Sequence, residues 1–326
     1  MSTPAAASAG IDPDVAALFT GGRAVGTRPL HELGVEHART ALERAPRSPA
    51  PAMRSVEDLE FTGPHGPVAV RVYRPTTDSG TGGKSPAIVY FHGGGMVMGT
   101  IDSFDSVARH LAHESAAVVV SVDYRLAPEY PYPVATDEAW AATCWVQSHA
   151  AELAVDPAAI AVAGDSAGGS LAAGVALRAR DEASLELVAQ LLFYPGLERP
   201  EDRPSMLEFA DGPILTRRDI VWMKNQYLGP DPSRDTVYGV PALAADLHDL
   251  PDAVVVSAQF DPLRDGVEAY GERLRDAGVP TALLRYPGVC HGFLSQTGRT
   301  RRAGIAMAEI GALVRQKFAT RSKELR

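Results

Sequence analysis

Cysteine is scarce in this chain. Cys144 and Cys290 are the only two among 326 residues, too few for a disulfide scaffold, and two reduced thiols in a cytoplasmic chain are the expectation. Long apolar runs are missing as well, so stable membrane insertion is not expected. Basic residues are outnumbered: 31 Lys and Arg stand against 40 Asp and Glu, a formal net charge of −9. That balance disfavours nucleic acid or anionic lipid as the main partner. The opening stretch MSTPAAASAGIDPDVAALF has no basic leader followed by an apolar core, so no secretory signal is expected and a cytoplasmic location is. No internal repeat is evident. What remains is an ordinary globular composition, 45% hydrophobic and 22% charged. The length suffices for one large core, with or without an appended lid.

Strand-like and helix-like segments alternate from about residue 56 onward. Extended segments are expected at 56–61, 68–74, 86–91, 117–124, 159–164, 187–194, 253–258 and 282–286. Several are nearly continuous apolar runs, the pattern of parallel strands covered on both faces. The first two alternate better and flank a TGPHG turn, which predicts an antiparallel hairpin at one edge. Residues 76–85, TTDSGTGGKS, read as a surface loop. Helices are expected at 105–115, 135–150, 166–181, 266–278 and 302–318. Residues 1–50 and 198–245 break the rhythm with helix-like pieces and prolines. They are expected to meet as one cap over the sheet; an independent N-terminal domain is the competing reading, for which fifty residues supply little core. The chain is thus divided into 1–50 (first part of the cap), 51–197 (first part of the sheet domain), 198–245 (second part of the cap) and 246–326 (second part of the sheet domain).

The strongest local motif is AVAGDSAGGS at 161–170, which sets Gly164–Asp165–Ser166–Ala167–Gly168 between an apolar strand and a small-residue helix. This is G-x-S-x-G in the context that lets a sharp turn lift a serine hydroxyl above the sheet. A serine beside glycines also suits plain helix capping. As a nucleophile Ser166 needs an oriented base. His291, in the loop after the last strand-like segment, fits that role, and Asp261, just past the preceding one, fits the residue that orients it. Asp265 and Asp165 compete with Asp261; the strand-to-loop position favours Asp261, leaving Asp265 as a loop tether and Asp165 as an organiser of neighbouring loops. His110 and His113 lie three apart on a helix and read as structural. Cys290 adjoins the base without any nucleophile context and reads as inert packing.

The run FHGGGMVMGT at 91–100 asks why three glycines stand together. It lacks the lysine of a phosphate loop and the spacing of a dinucleotide fingerprint, and no compact His/Cys/Asp cluster suggests zinc. Amides offered to a developing oxyanion explain it better, each such donor being worth roughly 2.7–4 kcal/mol in the transition state. Gly93, Gly94 and Ala167 are the expected donors, with His92 as an anchor for the loop. No cofactor or metal is required.

The ordered set HGGG (92–95), YRLAPEYPYPVA (124–135), GDSAGG (164–169), DPLRD (261–265) and HGF (291–293) resembles the hormone-sensitive lipase-like family of α/β-hydrolases, bacterial carboxylesterases of the GDSAG group in particular. The resemblance runs from about residue 55 to 318. It implies an α/β-hydrolase fold: an eight-stranded, mostly parallel sheet with an antiparallel second strand, flanking helices and a helical cap. It also implies a small-molecule acyl ester substrate of short to medium chain length, with a homodimer as a family-based expectation. Met96 departs from a frequent aromatic and is left open between lining the substrate pocket and filling the core. Phe209, Trp222, Met223 and Tyr227 are expected pocket residues from the cap. Deacetylation or amide hydrolysis by the same apparatus is the alternative activity, and a non-catalytic small-ligand receptor the alternative from another class.

Overall fold

The computed structural model describes residues 10–20, 29–77 and 84–324. The opening residues 1–9, part of the expected cap (21–28), most of the expected surface loop (78–83) and the last two residues lie outside the described residues. Three helices lead in: α1 (Pro13–Thr20), α2 (Leu30–Leu33) and α3 (Val35–Glu43). Then follow β1 (Met53–Gly63), β2 (Gly66–Pro75), β3 (Ser85–Phe91), α4 (Asp105–Ser115), β4 (Val118–Val122), α5 (Val134–Ser148), β5 (Val155–Asp165), α6 (Ala167–Glu182) and β6 (Ala189–Phe193). An insertion holds α7 (Pro204–Glu208) and α8 (Arg217–Leu228). The chain closes with β7 (Asp252–Phe260), α9 (Arg264–Asp276), β8 (Thr281–Cys290) and α10 (Arg301–Glu324).

Among the described residues, eight strands form one sheet in the order β1-β2-β4-β3-β5-β6-β7-β8. Strand β2 runs antiparallel to both β1 and β4, and every later pairing is parallel. The mostly apolar strands β3, β4 and β6 are buried along their whole length, as strands covered by helices on both faces must be. Side chains alternate between the faces, so Val89, Val120, Val162 and Val255 join one cluster with α5, α6 and α9. Their neighbours Ile88, Val119, Ala161 and Val254 join the other, with α4 and α10. No helix among the described residues is long and apolar enough to cross a membrane.

The early helices split between two places. Helix α1 lies by β8 and the start of α10: the Asp12 amide donates to Gly288 O at 2.9 Å, and Arg302 pairs with Asp12. Helix α2 meets α8 instead, where His31 donates its backbone amide to Asp219 Oδ1 at 2.9 Å and sets its ring Nδ1 2.8 Å from the same oxygen. From α3, Arg39 reaches three acceptors: Val97 O at 2.8 Å, Ala127 O at 2.9 Å and the Glu129 carboxylate at 2.7 Å. Among the described residues of the stretch expected to form the first part of the cap, α1 thus lies by β8, while α2 meets α8 and α3 reaches the glycine loop.

Candidate active site

Strand β5 delivers Ser166 at its carboxyl end. The serine sits at φ 54°, ψ −115°, a conformation costly for any residue with a Cβ and kept only where its surroundings enforce it. They do so here: the Ser166 amide donates to Phe193 O at 2.8 Å, and Ser166 O accepts from Gly196 N at 3.1 Å. The turn also requires Gly168, since a Cβ there would stand 1.9 Å from Phe91 O. Helix α6 starts at the next residue and aims its positive end at the hydroxyl.

His291 and Asp261 converge on that hydroxyl. His291 Nε2 stands 2.8 Å from Ser166 Oγ, and its Nδ1 lies 2.7 Å from Asp261 Oδ2. Asp261 is fully buried and accepts a further bond from Leu263 N at 2.9 Å. A carboxylate only accepts, so Nδ1 carries the ring proton and Nε2 is left to accept from the serine. Tyr194 packs edge-on against the imidazole, ring centres 5.1 Å apart. Of the two competing carboxylates, Asp265 accepts from Ser205 N at 2.7 Å and from Arg264, tying α9 to α7. Asp165 takes its hydrogen bonds from Tyr90 and the Gly93 amide, not from His291. Burial pushes the Cys290 thiol up to about 12, with Asp261 adding to the shift, which leaves it protonated.

The glycine loop differs from expectation at one position. Gly93 was expected to offer its amide, but that amide donates to Asp165 Oδ1 at 3.0 Å, and the same oxygen accepts from Tyr90 Oη at 2.5 Å. Gly93 is thus a strut, and its N–H is committed. Gly94, Gly95 and Ala167 have amides that no acceptor engages among the described residues. Gly94 adopts φ +112°, and a Cβ on it would meet Met98 O at 2.0 Å, so only glycine presents the chain this way. Behind the loop, His92 donates from Nδ1 to Gly93 O at 2.7 Å and is stacked between Phe104 and Tyr124. Burial lowers its pKa, keeping it a neutral brace. Burial also pushes Asp165 up to about 6, against the pull of Tyr90, His291 and the Gly93 amide.

A space of about 40 Å³ opens at Ser166 and Ala167. Met96, Met223 and Tyr227 line it, and Met96 is at the same time part of the core, 5% exposed. Phe209 and Trp222, also expected there, are not among its lining. Phe209 is buried against Phe260, ring centres 5.8 Å apart, under the Arg264 guanidinium, and Trp222 packs part-buried against the core. The walls include Leu215, Ile220, Lys224 and Leu263, which motif reading missed. Helical spacing carried the signal: Ile220, Met223, Lys224 and Tyr227 share one face of α8. A larger cleft of about 560 Å³ lies elsewhere, lined by Arg47, Asp58, Arg71, Asp102 and Asp123, and holds no serine, cysteine or histidine.

A profile of the alpha/beta hydrolase fold matches residues 88–295. The chain is 44% identical over 266 residues to the esterase LipI of Mycobacterium tuberculosis, covering 81% of this chain and 83% of that protein. It is 43% identical over 267 residues to carboxylesterase NlhH of the same organism, covering 80% and 83%. Among solved structures, a hyperthermophilic esterase from the archaeon Pyrobaculum calidifontis superposes with a TM-score of 0.86 at 36% identity, over 94% of this chain and 98% of that one. The chain belongs to the α/β-hydrolase family, in the hormone-sensitive lipase-like branch that its sequence motifs resemble.

Proposed function

We propose that this protein is a serine carboxylesterase that hydrolyses short- to medium-chain acyl esters, with Ser166 as nucleophile, His291 as base and Asp261 as the residue that orients the base. The observation that carries the reading is the continuous relay from Asp261 through His291 to a strained Ser166, at 2.7 and 2.8 Å. Ser166 Oγ attacks the acyl carbon as His291 Nε2 takes its proton, and Asp261 stabilises the imidazolium that forms. The carbonyl oxygen, now negative, is held by the amides of Gly94, Gly95 and Ala167. His291 returns the proton to the departing alcohol, and an acyl-enzyme remains. Water that His291 deprotonates then attacks the acyl carbon and releases the acid.

The mostly apolar side chains beside Ser166, Met96, Leu215, Ile220, Met223 and Leu263 among them, support an acyl ester as substrate. Helices α2 and α3 together with α7 and α8 serve as the cap over this site, through the His31–Asp219 contact and the apolar face of α8. Mass spectrometry after treatment with a fluorophosphonate tests the assignment: the adduct belongs on Ser166, and Ser166→Ala should lower kcat on an aryl acetate by on the order of 10⁵–10⁶-fold. Labelling at another residue with hydrolysis intact in Ser166→Ala would overturn it. A matched acetanilide, cleaved faster than the aryl acetate, would favour amide hydrolysis instead.

A further inference from the structure

The apolar wall of the pocket carries one cation that the triad does not use. Lys224 sits on the face of α8 that also supplies Ile220, Met223 and Tyr227, and it shares the small space at Ser166 with them. Its ammonium donates one bond, to Gly196 O at 2.7 Å, and an ammonium has three N–H groups to place. The pocket's other polar groups are already spoken for. Ser170 Oγ donates to the same Gly196 oxygen at 2.7 Å, and Tyr227 Oη is paired with Thr136 Oγ1 at 2.7 Å. The carboxylates whose charge acts on Lys224 are held by other cations: Glu198 by Arg203 at 2.5 and 2.7 Å, and Asp235 by Arg199 at 2.5 and 2.7 Å. No carboxylate among the described residues forms an ion pair with Lys224.

We propose that Lys224 is a specificity determinant that selects small esters carrying a carboxylate close to the scissile bond. The inference rests on the esterase reading above. A wall meant only for alkyl chains gains nothing from an ammonium, since removing a charge from water without a counter-ion is costly. Lys224 is half-buried in that wall, and burial, with Arg199 adding repulsion and Asp235 and Glu198 opposing it, lowers it to about 8. A substrate carboxylate supplies both missing elements, the counter-charge and acceptors for the remaining N–H groups. Hydrogen bonds of this charge-assisted kind are the stronger ones and discriminate sharply against a neutral group of the same shape.

Two ester pairs test this, each differing only by a carboxylate or an isopropyl group in its place. Monoethyl succinate against ethyl 4-methylpentanoate places the charge on the acyl arm; 3-acetoxypropanoate against 3-methylbutyl acetate places it on the alcohol arm. At pH 6.5 the charged-to-neutral ratio of kcat/KM should fall about tenfold or more in Lys224→Met for at least one pair. In the wild type that ratio should decline between pH 6.5 and 9.5, as Lys224 loses its proton while the Arg199 and Arg203 guanidiniums, both shifted up by their carboxylate partners Asp235 and Glu198, stay charged. Any pH dependence of the catalytic step the two esters share acts on both members of a pair and cancels. Ratios unchanged by Lys224→Met, with the neutral esters cleaved, would overturn this inference and leave the esterase reading standing. Should the variant fail to fold, a wild-type ratio flat from pH 6.5 to 9.5 overturns it equally. Failure of the wild type to cleave any of the four esters would remove both.

Discussion

Asp165 shows how a residue next to the nucleophile acts without touching the reaction. One buried oxygen of its carboxylate collects the Tyr90 hydroxyl and the Gly93 amide, which fixes where the glycine loop leaves β3. Desolvation outweighs those bonds and raises its pKa to about 6, above the unfolded value near 3.8. The native state therefore binds this proton more tightly than the unfolded chain does. Its contribution to stability is complete below about pH 4 and is lost as the pH rises through 6. Wild type should thus gain stability relative to Asp165→Asn between pH 8 and pH 4, by about 2–3 kcal/mol, read from urea midpoints of the two proteins at each pH. A difference that is flat or of opposite sign would contradict the assignment. Spacing and chain order singled out Ser166, Asp261 and His291 because each stands where a strand ends and a loop begins. The same reasoning failed at Gly93, because a donor's prior commitment to a carboxylate seventy-two residues away leaves no mark on local sequence. It failed at Phe209 and Trp222 for a related reason: which way an aromatic points depends on what packs beside it.

At the scale of elements, glycine separates helices by what presses on them. The first turn of α6 is pushed so hard against β3 that Gly168 has no room for a methyl group, whereas Gly304 in α10 has nothing within 4 Å of an added Cβ. Gly304→Ala should raise stability by roughly 0.5–1 kcal/mol through helix propensity alone. Gly168→Ala should destabilise by more than about 3 kcal/mol and displace the nucleophile. Thermal melts of both variants, with activity against an aryl acetate, check the contrast. Element type was largely legible: helix α4 occupies the expected 105–115, and each expected strand is present. Ends were less so. Strand β5 begins at Val155, before its own Pro157, and β8 runs on through Pro287 and Gly288 to Cys290, past a register shift opposite Ala258 and Phe260. Those extensions come from pairing with a neighbour strand, which overrides residues that break strands in isolation.

For the molecule as a whole, the insertion has no core of its own. Met206, Leu215, Ile220, Met223 and Leu228 belong to the same apolar cluster as Val70, Leu171 and Val255. Cap and body should therefore unfold together. With Trp140 and Trp145 replaced by Phe, Trp222 is the one remaining tryptophan, and its fluorescence should follow the far-UV circular dichroism through a single urea transition; an earlier fluorescence transition would mark a separately unfolding cap. The sheet itself was readable from apolar runs and turns, since burial on both faces leaves few choices of residue. How the leading helices divide between β8 and α8 was not, because that depends on long-range pairs such as Asp12–Arg302 and His31–Asp219. Arg39 joins these scales. Its guanidinium holds Val97 O, one turn beyond Gly94, and also holds the loop at Ala127 and Glu129. A helix from the start of the chain and the oxyanion donors therefore share one free-energy account. Whatever an oxyanion gains by firming that loop it also gives to the docking of α3, and slackening α3 takes back the same amount from the bound anion, because such coupling is reciprocal.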